Sequence, residues 1–187
     1  AGGKNIFLHT GLLMSTKNPQ QLRGVLAHEI GHIAGGHLTR MSQAYREASN
    51  FASLGSILGL AAAIASGQPQ AAPTLVHGAG SIAQKTFLRH TRGQEAAADQ
   101  AAARYLIAIR EGPGGLLDFL RILKEKEAVS SDTIPIYLRT HPLTKDRIKF
   151  FEKPTSVPND IKKRTTLGLI ERHKKMIAKL FSFLRPP

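Results

Sequence analysis

The stretch "AHEIGHIAGGHLTR", residues 27–40, decides how this chain can be interpreted. Within it, His28 and His32 are four residues apart, and Glu29 directly follows the first histidine. Because residues i and i+4 of an α-helix lie on the same face, both imidazoles can reach one metal ion. Glu29 would then lie beside the ion and contact a water bound to it. The stretch therefore predicts a metal-binding helix.

The pattern H-E-x-x-H is that of zinc peptidases, in which the glutamate acts as the general base. The same pattern also arises by chance in histidine-rich helices, so on its own it leaves both interpretations open. A catalytic zinc needs a third protein ligand and one open position. The chain contains no cysteine, so the third ligand must be a histidine, an aspartate or a glutamate.

His37 is the nearest candidate for the third ligand. The metzincin pattern would place a glycine at position 35 and a histidine at position 38. Gly35 is present, but the residue at position 38 is Leu38. At roughly 100° per residue, His37 lies about half a turn around the helix from His28. We therefore expect His37 to pack or to face solvent rather than to bind the metal.

Glu95 in "RGQEAAADQ" is the other candidate, and Asp99 follows it four residues later on the same helical face. One carboxylate could bind the metal while the other accepts a hydrogen bond from a ligand histidine and so fixes that imidazole. The alternative is a solvated helix edge. The alanines between them argue against this alternative, because a helix with small side chains lets another helix approach closely.

The distribution of apolar and turn-forming residues predicts a mostly helical chain. Residues 5–14 predict a strand and a turn. Asn18 and Pro19 give an N-cap followed by proline at the first helical position, with Gln21 where a capping-box partner belongs. The expected helices cover residues 19–46, 92–110, 114–128, 143–153 and 161–187, the last one basic and amphipathic, and residues 66–82 are expected to form a mobile loop.

The most apolar run is "FASLGSILGLAAAIA", residues 51–65, which is 15 residues long and contains glycine and serine. A membrane-spanning helix needs about 20 apolar residues. We therefore expect this run to form a buried or interfacial helix.

The charge balance, 26 basic against 13 acidic residues, gives a net charge of +13. Such a surface favours nucleic acid, an anionic lipid or lipopolysaccharide surface, or an acidic protein as partner. It equally suits a solvated basic face that has no specific partner. Aromatic residues make up only 6% of the chain and no base-stacking motif is present. We therefore expect no nucleic-acid partner.

Three motifs together carry a resemblance to a known family. "HEIGH", then "QEAAAD" some sixty residues later, then "RTHPLTKDRI" resemble the zinc metallopeptidase family of the CAAX prenyl protease and HtpX. The resemblance covers about residues 2–184. Within the family it is strongest to the soluble, exported bacterial BepA type, in which a catalytic domain precedes a tetratricopeptide-repeat domain and works on outer-membrane protein assembly.

The resemblance implies a ligand set and a general base. His28, His32 and Glu95 would bind one zinc ion per chain, and Glu29 would act as the general base. Asp99 would not bind the zinc but would accept a hydrogen bond from a ligand histidine.

Two further residues match family positions near the reacting centre. His141 resembles a histidine that either stabilises the transition state or caps the zinc as a self-inhibiting extra ligand. Arg147 lies six residues later in the same motif. Without the resemblance, the two would be interpreted as a turn residue and a surface base.

The implied fold is α+β but predominantly helical, a zincin-like metallopeptidase with a small edge-strand sheet beside the H-E-x-x-H helix. The segment "GGKNIFLHTGLL", residues 2–13, would be the edge strand that pairs with extended substrate. Residues 51–82 correspond to a region that plugs the active site in soluble relatives and spans the membrane in HtpX-like ones, and their short apolar run favours the plug. We expect an N-terminally truncated peptidase domain at residues 1–160, with residues 161–187 leading to an absent repeat domain.

The implied function is a zinc-dependent endopeptidase of the bacterial periplasm that cleaves unfolded or misassembled envelope proteins, including outer-membrane proteins. A loop plug and His141 would gate it, and an anionic membrane surface is a further expected partner. The competing hypothesis is a latent or non-catalytic basic module for envelope protein assembly in which the metal site is permanently capped.

Overall fold

A computed structural model describes residues 5–129, 137, 140–153 and 167–184 of the chain. The helices in these ranges are α1 (Thr10–Ser15), α2 (Pro19–Ala34), α3 (His37–Ala65), α4 (Ala72–Ala108), α5 (Gly114–Val129), α6 (Lys145–Glu152) and α7 (Leu167–Leu184). A short 3-10 helix, Pro69–Ala71, connects α3 to α4. The chain divides into two units, one formed by Ala1–Gly35 with Glu95–Pro187 and the other by Gly36–Gln94. Helix α4 runs through the division without a break.

Helix α2, which carries the H-E-x-x-H motif, begins where its capping residues predict. The Asn18 side chain accepts a hydrogen bond from the Gln21 backbone N–H at 3.0 Å, and Pro19 occupies the first helical position. The Gln21 side chain in turn accepts from the Lys17 backbone N–H at 2.6 Å. Two backbone donors that have no partner within the helix are thereby satisfied.

The prediction that this helix continues to residue 46 is wrong. It ends at Ala34 because Gly36 has a φ of 61°, in the left-handed region that glycine adopts without Cβ strain. A separate helix begins at His37. The apolar residues of α2 are only partly buried, since Val25 is fully buried while Ile30 is exposed.

Helix α2 packs closely against α4 and α5 in the first unit. A Cβ atom at Gly24 would lie 2.8 Å from the Leu116 backbone nitrogen, and one at Gly31 would lie 2.9 Å from the Ala98 carbonyl oxygen. The two glycines therefore bring backbones into direct contact. The alanines of α4 serve the same approach, as their sequence predicted, and the rest of the core is supplied by larger residues: Leu106, Leu116, Phe119, Leu120, Leu123, Ile148 and Phe151.

The expected edge-strand sheet is not present in the described residues. Asn5 makes a single β-bridge, residues 6–9 are irregular, and Thr10–Ser15 forms helix α1, with Leu12 buried in the core. A short apolar run does not distinguish a strand from a helix by periodicity alone, which is why the strand prediction for residues 5–14 was wrong. Residues 2–4 of the expected edge strand lie outside the described residues.

The helices predicted at residues 114–128 and 143–153 are confirmed with small changes of boundary, whereas the helix predicted at residues 92–110 begins twenty residues earlier, at Ala72, and ends at Ala108. Helix α7, within the segment expected to be basic and amphipathic, packs against α1, and His173 Nε2 lies 2.9 Å from Thr16 Oγ1. The expected boundary at residue 160 falls outside the described residues.

The second unit is a helical hairpin formed by α3 and the first part of α4. Gly55 faces Ala79 and Gly59 faces Leu75, so the two helices run antiparallel. The mobile loop expected over residues 66–82 is therefore wrong, since helix α4 already begins at Ala72. Pro73 lies in the first turn of that helix, where proline is tolerated.

The apolar run at residues 51–65 was expected to form a buried or an interfacial helix. It is helical, but it is not the buried helix of the first alternative. Its large side chains are exposed, including Ile57 at 64% and Leu58 at 68%. Within the described ranges, one helix, His37–Ala65, is long and apolar enough to cross a membrane by length and composition.

Candidate metal centre

The structure brings all seven predicted site residues together in the first unit. Helix α2 supplies His28, Glu29 and His32, α4 supplies Glu95 and Asp99, the loop before α6 supplies His141, and α6 supplies Arg147. None of the seven is more than 9% exposed. Such a set of charged and ionisable groups is stable at this depth only if the members compensate one another.

Three of these side chains point their ligand atoms at a common point. The Nε2 atoms of His28 and His32 are 3.0 Å apart. They lie 3.3 Å and 3.2 Å from the two carboxylate oxygens of Glu95. Ligands of a tetrahedral zinc at about 2.0–2.1 Å would be separated by roughly 3.3 Å. The donor set and its spacing therefore fit zinc.

The Nδ1 atom of His28, on the side of the ring away from the metal position, contacts a carboxylate. This atom lies 2.9 Å from Asp99 Oδ1, so this carboxylate holds the imidazole with Nε2 directed at the metal position. Burial lowers the pKa of His28, but the contacts with Asp99 and then Glu95 outweigh burial and leave that pKa raised. Burial is also the main reason why the pKa of His32 is lowered, which favours the neutral form that binds metals.

Arg147 compensates both buried carboxylates. Its Nε and Nη2 atoms donate to Asp99 at 2.7 and 2.9 Å, and its Nη1 lies 2.8 Å from Glu95 Oε2. Burial alone would raise the pKa of Glu95, but hydrogen bonds from the three surrounding imidazoles, and then the guanidinium, hold it far below its usual range. The pKa of Asp99 is lowered in the same way by His28 and Arg147 against burial. Both carboxylates are therefore ionised at neutral pH.

His141 lies between the third carboxylate and the motif glutamate. Its Nδ1 is 3.1 Å from Glu95 Oε1 and its Nε2 is 3.3 Å from Glu29 Oε1. With one ligand atom from each, His28, His32, Glu95 and His141 form a group within 4.8 Å that could hold a metal ion. The structure thus offers a fourth donor beside the three that the sequence predicted as ligands.

Tyr137 is a neighbour of the site that sequence reasoning missed. Its ring stacks on His141 with centroids 4.6 Å apart, and its backbone carbonyl accepts the His141 N–H at 2.9 Å. Burial raises the pKa of the Tyr137 hydroxyl well above its ordinary value. The only available signal was its position four residues before His141, which is one helical turn.

His37 does not join the metal group, consistent with the expectation from its angle on the helix. It is buried in the second unit, where its backbone carbonyl accepts a hydrogen bond from the Gln94 side chain at 3.2 Å.

Comparison with known proteins places the chain in a family. Peptidase family M48 matches residues 1–155 of the 187. The chain belongs to this peptidase family.

The sequence of this M48 chain is similar to those of several named proteins. It is 31% identical over 146 residues to a beta-barrel assembly-enhancing protease of Yersinia pestis and 30% identical to that of Escherichia coli K12, covering 78% of this chain and 29% of each relative. A putative beta-barrel assembly-enhancing protease of Vibrio cholerae is 33% identical over 150 residues, covering 78% of this chain and 30% of the relative. The chain thus spans less than a third of the length of these relatives. No solved structure matches it.

The contacts of this M48 site predict that two arginines contribute very differently to the free energy of unfolding. Arg147→Met should lower the free energy of unfolding of the metal-free chain by about 3–5 kcal/mol, because two buried carboxylates lose their partner. Arg121→Met is the matched control, since Arg121 pairs with Glu152 at 2.9 Å on the surface and should contribute about 1 kcal/mol or less. Urea unfolding measures both. Equal losses would contradict the assigned role of Arg147.

The same site predicts which histidine matters for metal binding. The purified chain should bind one zinc ion, and His32→Ala should weaken binding by more than the roughly 10–100-fold typical of losing an outer hydrogen-bond partner. His37→Ala should keep one zinc ion at unchanged affinity. Competition with a zinc chelator measures both variants. Equal weakening in the two, with folding verified by circular dichroism, would argue against His32 as a ligand.

Proposed function

We propose that this chain is a zinc-dependent endopeptidase. The observation that supports this most directly is the convergence of His28, His32 and Glu95 on one point, with Glu29 beside it, in a chain of family M48. When bound, zinc would supply a Lewis acid that polarises the peptide carbonyl and activates water at neutral pH.

The proton transfers in this proposal belong to Glu29. It follows a ligand histidine directly, so its carboxylate reaches the attacking water without competing for the metal. It would take the proton of that water and deliver it to the leaving amine. Glu29 is only 4% exposed, so its contacts with reactants occur in a site largely closed to bulk water.

His141 and Arg147 have different tasks in the proposal. His141 Nε2 lies 3.3 Å from Glu29 Oε1, beside the proposed general base, and we assign it the task of donating to the negative charge that develops on the carbonyl oxygen. The described contacts of Arg147 go to Asp99, Glu95 and the Pro142 carbonyl. They support a positioning role, in which Arg147 holds the third ligand and the loop that carries His141.

The names of the relatives motivate the proposed substrates and location. Because they are called beta-barrel assembly-enhancing proteases, we propose that the substrates are unfolded or misassembled envelope proteins in the bacterial periplasm. Residues 1–160 would form the peptidase domain, and residues 161–187 would lead toward a repeat domain.

The contacts of His141 also favour a second possibility. As a fourth donor within 4.8 Å of the other three, it could occupy the position that water needs and make the chain a latent binding module. Gating by residues 51–82 stays a proposal beside gating by His141, and His141 is the gate tested below.

Replacing the general base tests the endopeptidase proposal. Glu29→Gln should bind one zinc ion but cleave casein about 10²–10⁴-fold more slowly, because the amide cannot accept the proton. Glu127→Gln, the same change at an exposed residue, should leave cleavage unchanged. Cleavage retained by the zinc-loaded Glu29→Gln protein would remove the proposal.

Replacing His141 tests the gate. His141→Ala should keep one zinc ion, and if His141 is a gate it should cleave casein faster than the unaltered chain, because the fourth position becomes open to water; slower cleavage would leave His141 only its role as a donor to the carbonyl oxygen. His9→Ala, at an exposed histidine, should behave like the unaltered chain. Zinc bound in both proteins with no cleavage by either would instead favour the latent binding module.

A further inference from the structure

The second unit has a small surface cavity near the start of α3. The volume of the cavity is about 370 Å³, near the lower end of the roughly 300–1,000 Å³ of ligand sites. Its lining consists of Leu38, Met41, Ser42, Tyr45, Arg46 and Phe87. The five lining residues from α3 follow the first at spacings of three, four, seven and eight residues, which lie on one face of a helix. Helix α4 supplies the sixth.

Two aromatic rings form part of the apolar lining. The ring centroids of Tyr45 and Phe87 are 6.1 Å apart with an interplanar angle of 81°, which is an edge-to-face contact. Tyr45 is 65% exposed and Leu38 is 47% exposed. Single exposed apolar residues are ordinary on a protein surface, but here they line one concave site. A concave, mostly apolar lining with few polar groups is the usual form of a ligand site.

Arg46 is the one charged residue of the lining. Among the described residues it forms no ion pair. Residues 36–94 contain one acidic residue, Glu47, against five basic ones: Arg40, Arg46, Lys85, Arg89 and Arg92. That single carboxylate accepts a hydrogen bond from the Gln43 side chain at 2.8 Å. The planar guanidinium of Arg46 is therefore available to a carboxylate from another molecule, which it can bind through two N–H groups.

Ser42 distinguishes between two ligands that join a carboxylate to an apolar group. Its hydroxyl donates to the Leu38 carbonyl at 3.2 Å, so its oxygen remains as an acceptor in the lining. A fatty acid has no N–H and would leave this acceptor without a partner. The last residue of a polypeptide presents a carboxylate, a side chain and a backbone N–H together. The lining therefore fits the end of a polypeptide better than it fits a fatty acid.

We propose that this cavity binds the free carboxyl terminus of polypeptides that end in an aromatic or large aliphatic residue. Arg46 binds the carboxylate, the Ser42 oxygen accepts the N–H of the last residue, and the rings of Tyr45 and Phe87 contact its side chain. Capture of a terminal carboxylate is a recurring mode of peptide recognition. None of the lining residues belongs to the metal centre, so the proposal does not depend on the proposed peptidase activity.

Fluorescence anisotropy with short labelled peptides tests this. The probe is a pentapeptide of three glycines, leucine and phenylalanine with fluorescein at its amino end and a free carboxyl end. The full chain carries Glu29→Gln, so that no peptide is cleaved during the measurement. The free acid should bind about tenfold more tightly than the same peptide with a carboxamide end, because the amide carries no charge for Arg46. A peptide of the same composition that ends in glycine should also bind more weakly.

Replacing the arginine assigns the difference between acid and amide to one contact. Arg46→Gln should weaken binding of the free acid about tenfold and leave binding of the amide unchanged, because both changes remove the same interaction. Arg40→Gln is the matched control, since Arg40 is an exposed residue of α3 outside the lining. It should change the affinity for neither peptide.

Replacing an apolar lining residue tests the contact with the terminal side chain. Met41→Gln should weaken binding of the acid and of the amide by the same factor, because both peptides end in the same ring. Leu54→Gln, at an exposed apolar residue further along α3, should have no effect. Circular dichroism verifies that each variant is folded.

Four results would overturn the proposal. These are equal affinity for the acid and the amide, equal effects of Arg46→Gln and Arg40→Gln, equal affinity for the peptide that ends in glycine, and displacement of the probe by decanoate at a lower concentration than by the unlabelled peptide. The last would assign the cavity to a fatty acid.

Discussion

The arrangement of the first unit depends on a buried carboxylate that must stay ionised. Glu95 is 2% exposed, and an ionised group at that depth costs several kcal/mol unless it is compensated. Arg147 Nη1 at 2.8 Å compensates it directly, and the imidazoles of α2 lie 3.3 and 3.2 Å from its two oxygens. Helices α2, α4 and α6 must therefore meet at Glu95, and this one requirement fixes the relative position of all the site residues.

Close helix approach makes that meeting possible. The imidazoles reach Glu95 because Gly31 lets the backbone of α2 lie against Ala98, one turn along α4 from the ligand. A larger residue at either position would separate the helices by more than the short distances between the ligand atoms allow. The small residues near the motifs are thus part of the metal site, although none of them carries its chemistry.

Much of this site could be predicted from the sequence, because it rests on local helix geometry. The i and i+4 spacing places His28 with His32, and Glu95 with Asp99, whatever the rest of the fold does. The resemblance of "THPLTKDR" added His141 and Arg147. Tyr137 was missed because its role comes from stacking on His141, which depends on a tertiary position that no pattern in the sequence encodes.

The errors in the predicted fold arise where glycine and proline allow more than one backbone conformation. The helix break at Gly36 depends on a left-handed φ, and one glycine within an apolar pattern does not reveal its φ in advance. The supposed loop at residues 66–82 is rich in glycine, proline and alanine, a composition that suits a loop in water. Here the same residues form the second helix of a hairpin, where glycine and alanine allow contact with α3.

In both units glycines let two helices pack closely, but the large apolar side chains are buried in the first unit and exposed in the second. In the first, glycines such as Gly24 bring helices together over a core of leucine and phenylalanine. In the second, Gly55 and Gly59 bring helices together while the leucines and isoleucines face outward. Composition averaged over a segment cannot separate these cases, since both contain glycine and large apolar residues. What separates them is which side of the helix each residue type occupies.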